Sequence, residues 1–197
     1  MTTVWHIMVR VWLASGSSRR QKMLEDIFPN LVCQALEGVD ETAEHGEVSQ
    51  QVLEIAKKKS EAIVQNIDFD LVIVSDTMLL DPDTDNVSIG KPTDEVDAAM
   101  MLHRLSGRRH RVWSSTGIYF SGHWKFFTDR AIVEIKQLSD EELVELVLSK
   151  SWEGKAGGYD LAGDMSKYAK LVDGDESTVL GIAGSAMELL SELAKNS

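Results

Sequence analysis

The 197-residue sequence has a single cysteine, Cys33, which excludes an internal disulfide framework and suits a reducing compartment, with packing as the thiol's expected role. Its three prolines, Pro29, Pro82 and Pro92, stand singly at element boundaries, and no Pro/Gly/Ser-rich linker, repeat or low-complexity tract divides the chain. Apolar runs of bilayer length are missing, and Met1 to Met8 lacks a signal-peptide core and cleavage pattern, so a cytoplasmic protein with no membrane partner is expected. Basic charge is also in deficit. Lys and Arg number 20 against 32 Asp and Glu, a formal net charge of −12 that argues against long nucleic acid as a partner. What is present, 43% hydrophobic and 26% charged residues, is enough to bury a substantial core. We expect one two-lobed domain over residues 8–197, with residues 1–7 a short extension before the first strand.

Hydrophobic periodicity alternates between strand and helix. Val9 to Ala14 reads as a buried strand, and Met23, Leu24, Ile27 and Phe28 recur at helical spacing behind the cap candidates Ser17 and Ser18. A second strand is expected from Leu31 to Leu36. Ser49 is a cap candidate for a long helix with an apolar stripe of Val52, Leu53, Ala56, Ile63, Val64 and Ile67, around whose other sides Lys57, Lys58 and Lys59 fan. Leu71 to Val74 is the continuous β-branched run of a strand buried on both faces. A helix follows from about Thr93 to Leu105. Val112 to Phe120 and Lys125 to Ile135, separated by Ser121-Gly122, read as an antiparallel hairpin. Ser139-Asp140-Glu141-Glu142 has the form of a capping box opening a helix through Leu148, and an apolar helix spans Ser185 to Ala194. The expected class is α/β.

Four places carry chemistry. The small-residue turn Ser15-Gly16-Ser17-Ser18 empties the first strand into a helix that begins with Arg19 and Arg20, where backbone N–H groups, the helix N-terminus and two guanidinium forks suit a phosphate. Ser75, Asp76 and Thr77 follow the apolar run at its carboxyl end, where α/β sheets bind ligands; Asp76 is there either as a functional carboxylate or as the cap of a turn. Asp81 to Asn86 alternates acids, but Asn86 and Pro92 stand where a calcium-binding loop needs Gly and Glu, so a solvated turn between strands is expected. Trp152 to Tyr159 is too glycine-rich for a regular element and reads as a connector or, given its Trp, Lys and Tyr, as a binding wall.

Together these segments resemble the Maf family of nucleoside triphosphate pyrophosphatases, nearly end to end. The marks are Leu13 to Arg20, Ala56-Lys57-Lys58-Lys59-Ser60, Ser75-Asp76-Thr77, Gly90-Lys91-Pro92, Leu105-Ser106-Gly107 with His110 and Val112, Trp152 to Tyr159, and Val179-Leu180-Gly181. The resemblance implies a twisted mixed sheet flanked by helices, two lobes around a central cleft, and a homodimer. It implies hydrolysis of a nucleoside triphosphate to monophosphate and pyrophosphate with a divalent cation, Mg²⁺ or alternatively Mn²⁺. By the same resemblance Asp76 is the proton acceptor, Glu41 and Asp76 hold the metal, and Ser15, Arg19, Arg20, Lys59 and Lys91 contact the substrate. In the subgroup acting on dTTP and UTP, an arginine, a threonine and a glutamine set specificity; Arg19 and Thr77 match the first two, and Ala162 replaces the third. Ser18 and Ala183 also replace prolines of the family pattern. The missing amide at Ala162 leaves a second reading, a nucleotide-binding regulator linked to cell division with vestigial catalysis. A phosphatase releasing one phosphate at a time is a third.

Overall fold

The structure, a computed structural model, describes residues 9–63, 68–84 and 86–195. The expected extension at 1–7, and Val64 and Ile67 of the long-helix stripe, lie outside these residues. In chain order the elements are β1 (Val11–Leu13), α1 (Ser18–Glu25), β2 (Leu31–Cys33), α2 (Val48–Glu61), β3 (Leu71–Leu80), β4 (Ser88–Ile89), α3 (Glu95–Leu105), β5 (Arg109–Phe120), β6 (His123–Ile135), α4 (Asp140–Leu148), β7 (Ala169–Asp173), α5 (Glu176–Leu180) and α6 (Gly184–Lys195), with 3₁₀ turns at Ala156–Gly158 and Asp164–Lys167. The sheet has seven strands in the order β2-β1-β3-β5-β6-β7, with β4 paired to β3. It is mixed: β1 pairs parallel with β2 and β3, whereas β3, β5, β6 and β7 pair antiparallel.

Two apolar clusters pack on this sheet. One gathers Leu24 of α1, Ile73 of β3, Ile118 of β5 and Leu190 of α6. The other gathers Leu102 and Leu105 of α3, Val133 and Ile135 of β6, and Leu146 of α4. The long strands β3, β5 and β6 run through both, because the same alternation continues along them past the point where β1 and β2 stop.

That continuation departs from the expected end of β3 near Val74. The strand runs on to Leu80, and Asp76 lies in its middle, opposite Ser115 of β5. Ser75 and Thr77 look like strand-ending residues only while their partners are unknown. Each hydroxyl meets another across the sheet, Ser75 Oγ to Thr116 Oγ1 at 2.9 Å and Thr77 Oγ1 to Ser114 Oγ at 2.8 Å, so a polar pair is satisfied inside the strand. The first two strands are correspondingly shorter than expected. Both keep three residue pairs, after which the chain leaves the sheet to form the Ser15–Ser17 turn.

Helix starts follow local chemistry. Ser17 caps α1 by accepting the Arg20 N–H, Asp94 caps α3 through the Asp97 N–H, and Ser139 with Glu142 forms the reciprocal capping box of α4. The expected Ser49 cap is not used: α2 starts two residues earlier than that cap would place it, behind Glu47, without a side-chain cap. The hairpin turn uses Ser121 and Gly122, both at positive φ (52° and 84°), the twist a two-residue connection requires. The acidic turn after β3 is not fully solvated. Asp81 is buried and pairs with Arg104 of α3 at 2.7 Å, while Asp83 binds Arg108; Asp85 lies outside the described residues.

No helix among the described residues is long and apolar enough to cross a membrane.

Candidate active site

A cavity of about 450 Å³ opens between the two clusters, a size that suits a small-molecule ligand. One wall is the turn and first helical residues Ser15 to Arg20; the opposite wall is Lys91 with residues 153–156. Glu41, Lys59, Asp76 and Thr77 also line it. The cavity lies where β1 ends: Leu13 is the last residue of β1 paired with β3, and Ala14 donates its N–H to Ile73 O at 2.9 Å. Beyond Ile73, β3 loses its parallel neighbour while β5 still holds its other edge. Asp76 is therefore presented at the carboxyl end of β1 without being at the end of its own strand.

Lys59 arrives by helical spacing. Val48, Val52, Ile55, Ala56 and Lys59 form the buried face of α2, so the ammonium is carried inward while Lys57 stays exposed and Lys58 pairs with Asp40 and Glu54 at the surface. The expected fan of three outward lysines is corrected at this one residue. Lys59 Nζ donates to Asp76 Oδ1 at 2.8 Å and to Ser75 O at 3.4 Å, and lies 3.1 Å from Glu41 Oε1. One cation thus gathers both candidate metal-binding carboxylates. Glu41 is half exposed; Asp76 is largely buried.

The two arginines of α1 have different surroundings. Arg20 is turned into the protein, donating from Nε to Gly181 O at 2.7 Å, from one terminal nitrogen to Ser15 Oγ at 3.1 Å and from the other to Thr77 Oγ1 at 3.0 Å. Burial pushes its pKa down to about 10, opposed by the negative fields of Asp76 and Glu41, so it stays cationic at neutral pH. Its first task is to brace Ser15, Thr77 and the turn at Gly181 into one unit. That turn needs glycine: Gly181 has φ 114°, and a Cβ there would lie 2.8 Å from Arg20 Nε. Arg19 faces the cavity, and its pKa is lowered by burial and raised by the nearby carboxylate of Asp160.

Sequence reasoning missed the groups that hold these parts together. Ser75 Oγ also donates to Gly181 O at 2.7 Å, Ser114 Oγ to Thr178 O at 2.7 Å, and Thr116 Oγ1 accepts the Ala183 N–H at 3.0 Å. Asp129 accepts both the N–H and the hydroxyl of Ser185 at the start of α6. The alternate hydroxyls at 75 and 77 and at 114 and 116 were the available signal, since period two places each pair on one face of the sheet.

The glycine-rich segment is also divided. Trp152 and Tyr159 are buried, with Trp152 Nε1 donating to Val147 O, so neither forms the binding wall, whereas Lys155 lines the cavity. Gly157 at φ 71° lets the turn close over Leu79, whose Cδ1 would be 2.6 Å from an added Cβ. Beneath it, Tyr159 Oη and His110 Nε2 are 2.7 Å apart, and His110 Nδ1 has no hydrogen-bond partner among the described residues. A tyrosyl O–H donating to Nε2 leaves one orphan, the Nδ1–H; the reverse bond would leave two. Burial lowers the His110 pKa to about 4 and raises that of Tyr159, so both are neutral. Ala162 is exposed and does not line the cavity; its N–H donates to Asp160 Oδ1 at 3.2 Å.

Among the described residues no group of three or more His, Cys, Asp or Glu forms a metal cage. The convergent pair Asp76 and Glu41 nevertheless fits Mg²⁺, which usually takes one or two protein carboxylates and completes its shell with water and substrate phosphates.

A family model described as Maf-like protein matches residues 10–195. A dTTP/UTP pyrophosphatase of Ruegeria sp. (strain TM1040) is 33% identical over 178 residues, 86% of each chain. Proteins of the same name from Pyrococcus abyssi (strain GE5 / Orsay) and Agathobacter rectalis are 31% and 30% identical, over 86% and 95% of this chain and 88% and 98% of theirs. The structure of a HAM1 protein from Coxiella burnetii superposes with a TM-score of 0.51 at 12% identity, covering 96% of this chain and all of that one, a likeness of fold.

Proposed function

We infer the activity from one premise: the chain belongs to the Maf family. We propose that it is a nucleoside triphosphate pyrophosphatase that releases a nucleoside monophosphate and pyrophosphate, with dTTP and UTP the first substrates to test, as its relatives are named for them. The observation that carries this reading is the largely buried carboxylate of Asp76 in a cavity also lined by Arg19, Lys59, Lys91 and Lys155. Cations on several sides suit a polyanion, and a carboxylate among them suits proton abstraction.

In this mechanism a water oxygen attacks the α-phosphorus. The new P–O bond forms as the bond from that phosphorus to the bridging oxygen breaks, and its electron pair leaves with pyrophosphate. Asp76 accepts the proton of the attacking water. Ser15 and the α1 N-terminus receive phosphate oxygens, and Arg19, Lys59 and Lys91 balance the charge that builds on the leaving group. Arg20 holds Ser15 and Thr77 in place, with its two remaining N–H donors available to substrate. A divalent cation bound by Asp76 and Glu41 would polarise the phosphate and lower the pKa of the water. Lys59, which now holds both carboxylates, would share them with that cation. We also propose the homodimer of the family, to be checked by light scattering.

The test is incubation with Mg²⁺ and a panel of canonical and modified triphosphates, with pyrophosphate, orthophosphate and monophosphate resolved. Pyrophosphate as first product is expected. Orthophosphate first, or no release from any nucleotide by folded protein, overturns the assignment; binding without turnover would favour the regulator.

A further inference from the structure

Behind Lys155, which lines the cavity, stands the carboxylate of Asp160, a residue that neither the family resemblance nor the relatives' names give a task. Asp160 follows Tyr159, whose buried ring is pinned to His110, so its backbone is delivered from a fixed mount. Its side chain is only 18% exposed. The Oδ1 oxygen accepts the Ala162 N–H at 3.2 Å, closing a tight side-chain turn, and the Oδ2 oxygen points to Lys155 Nζ at 3.9 Å. Among the described residues Lys155 has one other polar contact, Glu153 O at 3.5 Å. A weakly held cation of the cavity wall therefore faces a carboxylate fixed by its own turn, whose negative field also reaches Arg19.

We propose that Asp160 is a positioning residue that sets Lys155 at the cavity wall, and that Lys155 thereby becomes a working cation of the triphosphate site. This rests on the pyrophosphatase reading. A carboxylate beside a polyanion's site lowers ground-state affinity, so its benefit must lie in order: it keeps the long Lys155 side chain from collapsing onto other acids and aims it where charge grows during reaction.

Asp160→Asn tests this because the amide oxygen still accepts the Ala162 N–H while the charge is gone. The expected result is a kcat about tenfold lower with KM unchanged or reduced, and an unchanged melting temperature. Lys155→Met should raise KM about ten- to hundredfold, the loss of one charge-assisted contact. In the Lys155→Met background Asp160→Asn should cost much less than alone, because its partner has gone. Asp160→Asn within twofold of wild type in kcat and KM overturns the proposal, as does an equal loss in both backgrounds. Should Asp160→Asn fail to fold, the Lys155→Met value decides, since that variant leaves the turn intact and an unchanged KM removes the working cation. Calorimetry with inorganic pyrophosphate on the same proteins separates the two levels. A wild type that binds pyrophosphate with Asp160–Lys155 coupling but turns over nothing refutes the reaction alone. An active wild type without coupling refutes the positioning role alone.

Discussion

Acidification should destabilise the fold through one buried imidazole. His110 is 2% exposed, carries no charged partner, and has its pKa lowered by burial from 6.5 to about 4. Above pH 6.5 it is neutral in folded and unfolded chains alike and contributes nothing to the pH dependence. As pH falls below 6.5 the unfolded chain takes up a proton that the folded chain refuses, so stability is lost until about pH 4, where the native imidazole titrates too. At about 1.4 kcal/mol per pH unit, the loss between pH 7 and pH 5 is about 2 kcal/mol, and by pH 4 about 3 kcal/mol. Carboxylates held below their usual range, such as Asp83 beside Arg108 and Glu142 in its capping box, lose stability in acid as well. A variant cancels them. His110→Gln keeps an acceptor for the Tyr159 hydroxyl and cannot ionise. Urea unfolding of both proteins at pH 7 and pH 5 should show wild type losing about 2 kcal/mol more than the variant over that interval. Equal losses, within about 0.5 kcal/mol, would refute a neutral buried imidazole and with it the Tyr159-to-His110 bond direction.

Asp76→Asn retains an oxygen for Lys59 but cannot accept a proton, so turnover should fall about a hundredfold or more while nucleotide binding, read by calorimetry, persists. A chelator should abolish pyrophosphate release and Mg²⁺ restore it; full activity in chelator would remove the cation from Asp76 and Glu41. Gly181→Ala places a Cβ 2.8 Å from Arg20 Nε at φ 114°, and should cost about 1–3 kcal/mol in urea and lower kcat/KM by disturbing the Arg20 brace. Ser139→Ala removes the α4 capping box far from the cavity, so stability should drop by about 1 kcal/mol with kinetics unchanged.

Much of the site was legible from local signals. The small-residue turn into Arg19 and Arg20 needs only a strand, a helix start and the N-terminal field, all of which are nearest-neighbour properties. Lys59 was legible through the family's Ala56-x-x-Lys59 spacing rather than through periodicity, which fanned it outward with its neighbours, and Ser139 because its cap partner lies three residues on. The errors came where a residue's meaning depends on a distant partner. Ser75 and Thr77 looked like a strand's end until Ser114 and Thr116 stood opposite them, and Asp81 looked solvated until Arg104 reached it.

By itself the sequence determined the element types, the small-residue turn into Arg19 and Arg20, and the family, because periodicity, capping and motif spacing act within a few turns of chain. Tertiary structure alone decided how those parts serve one another. It placed Asp76 mid-strand at the end of β1, turned Lys59 inward onto it, spent much of Arg20 on bracing Gly181, Ser15 and Thr77, turned Trp152 and Tyr159 away from the cavity, and set Asp160 beside Lys155. The reason is physical: a charge or a hydroxyl takes its role from whatever lies within about 4 Å, and for these groups that neighbour is set by the packing of remote segments.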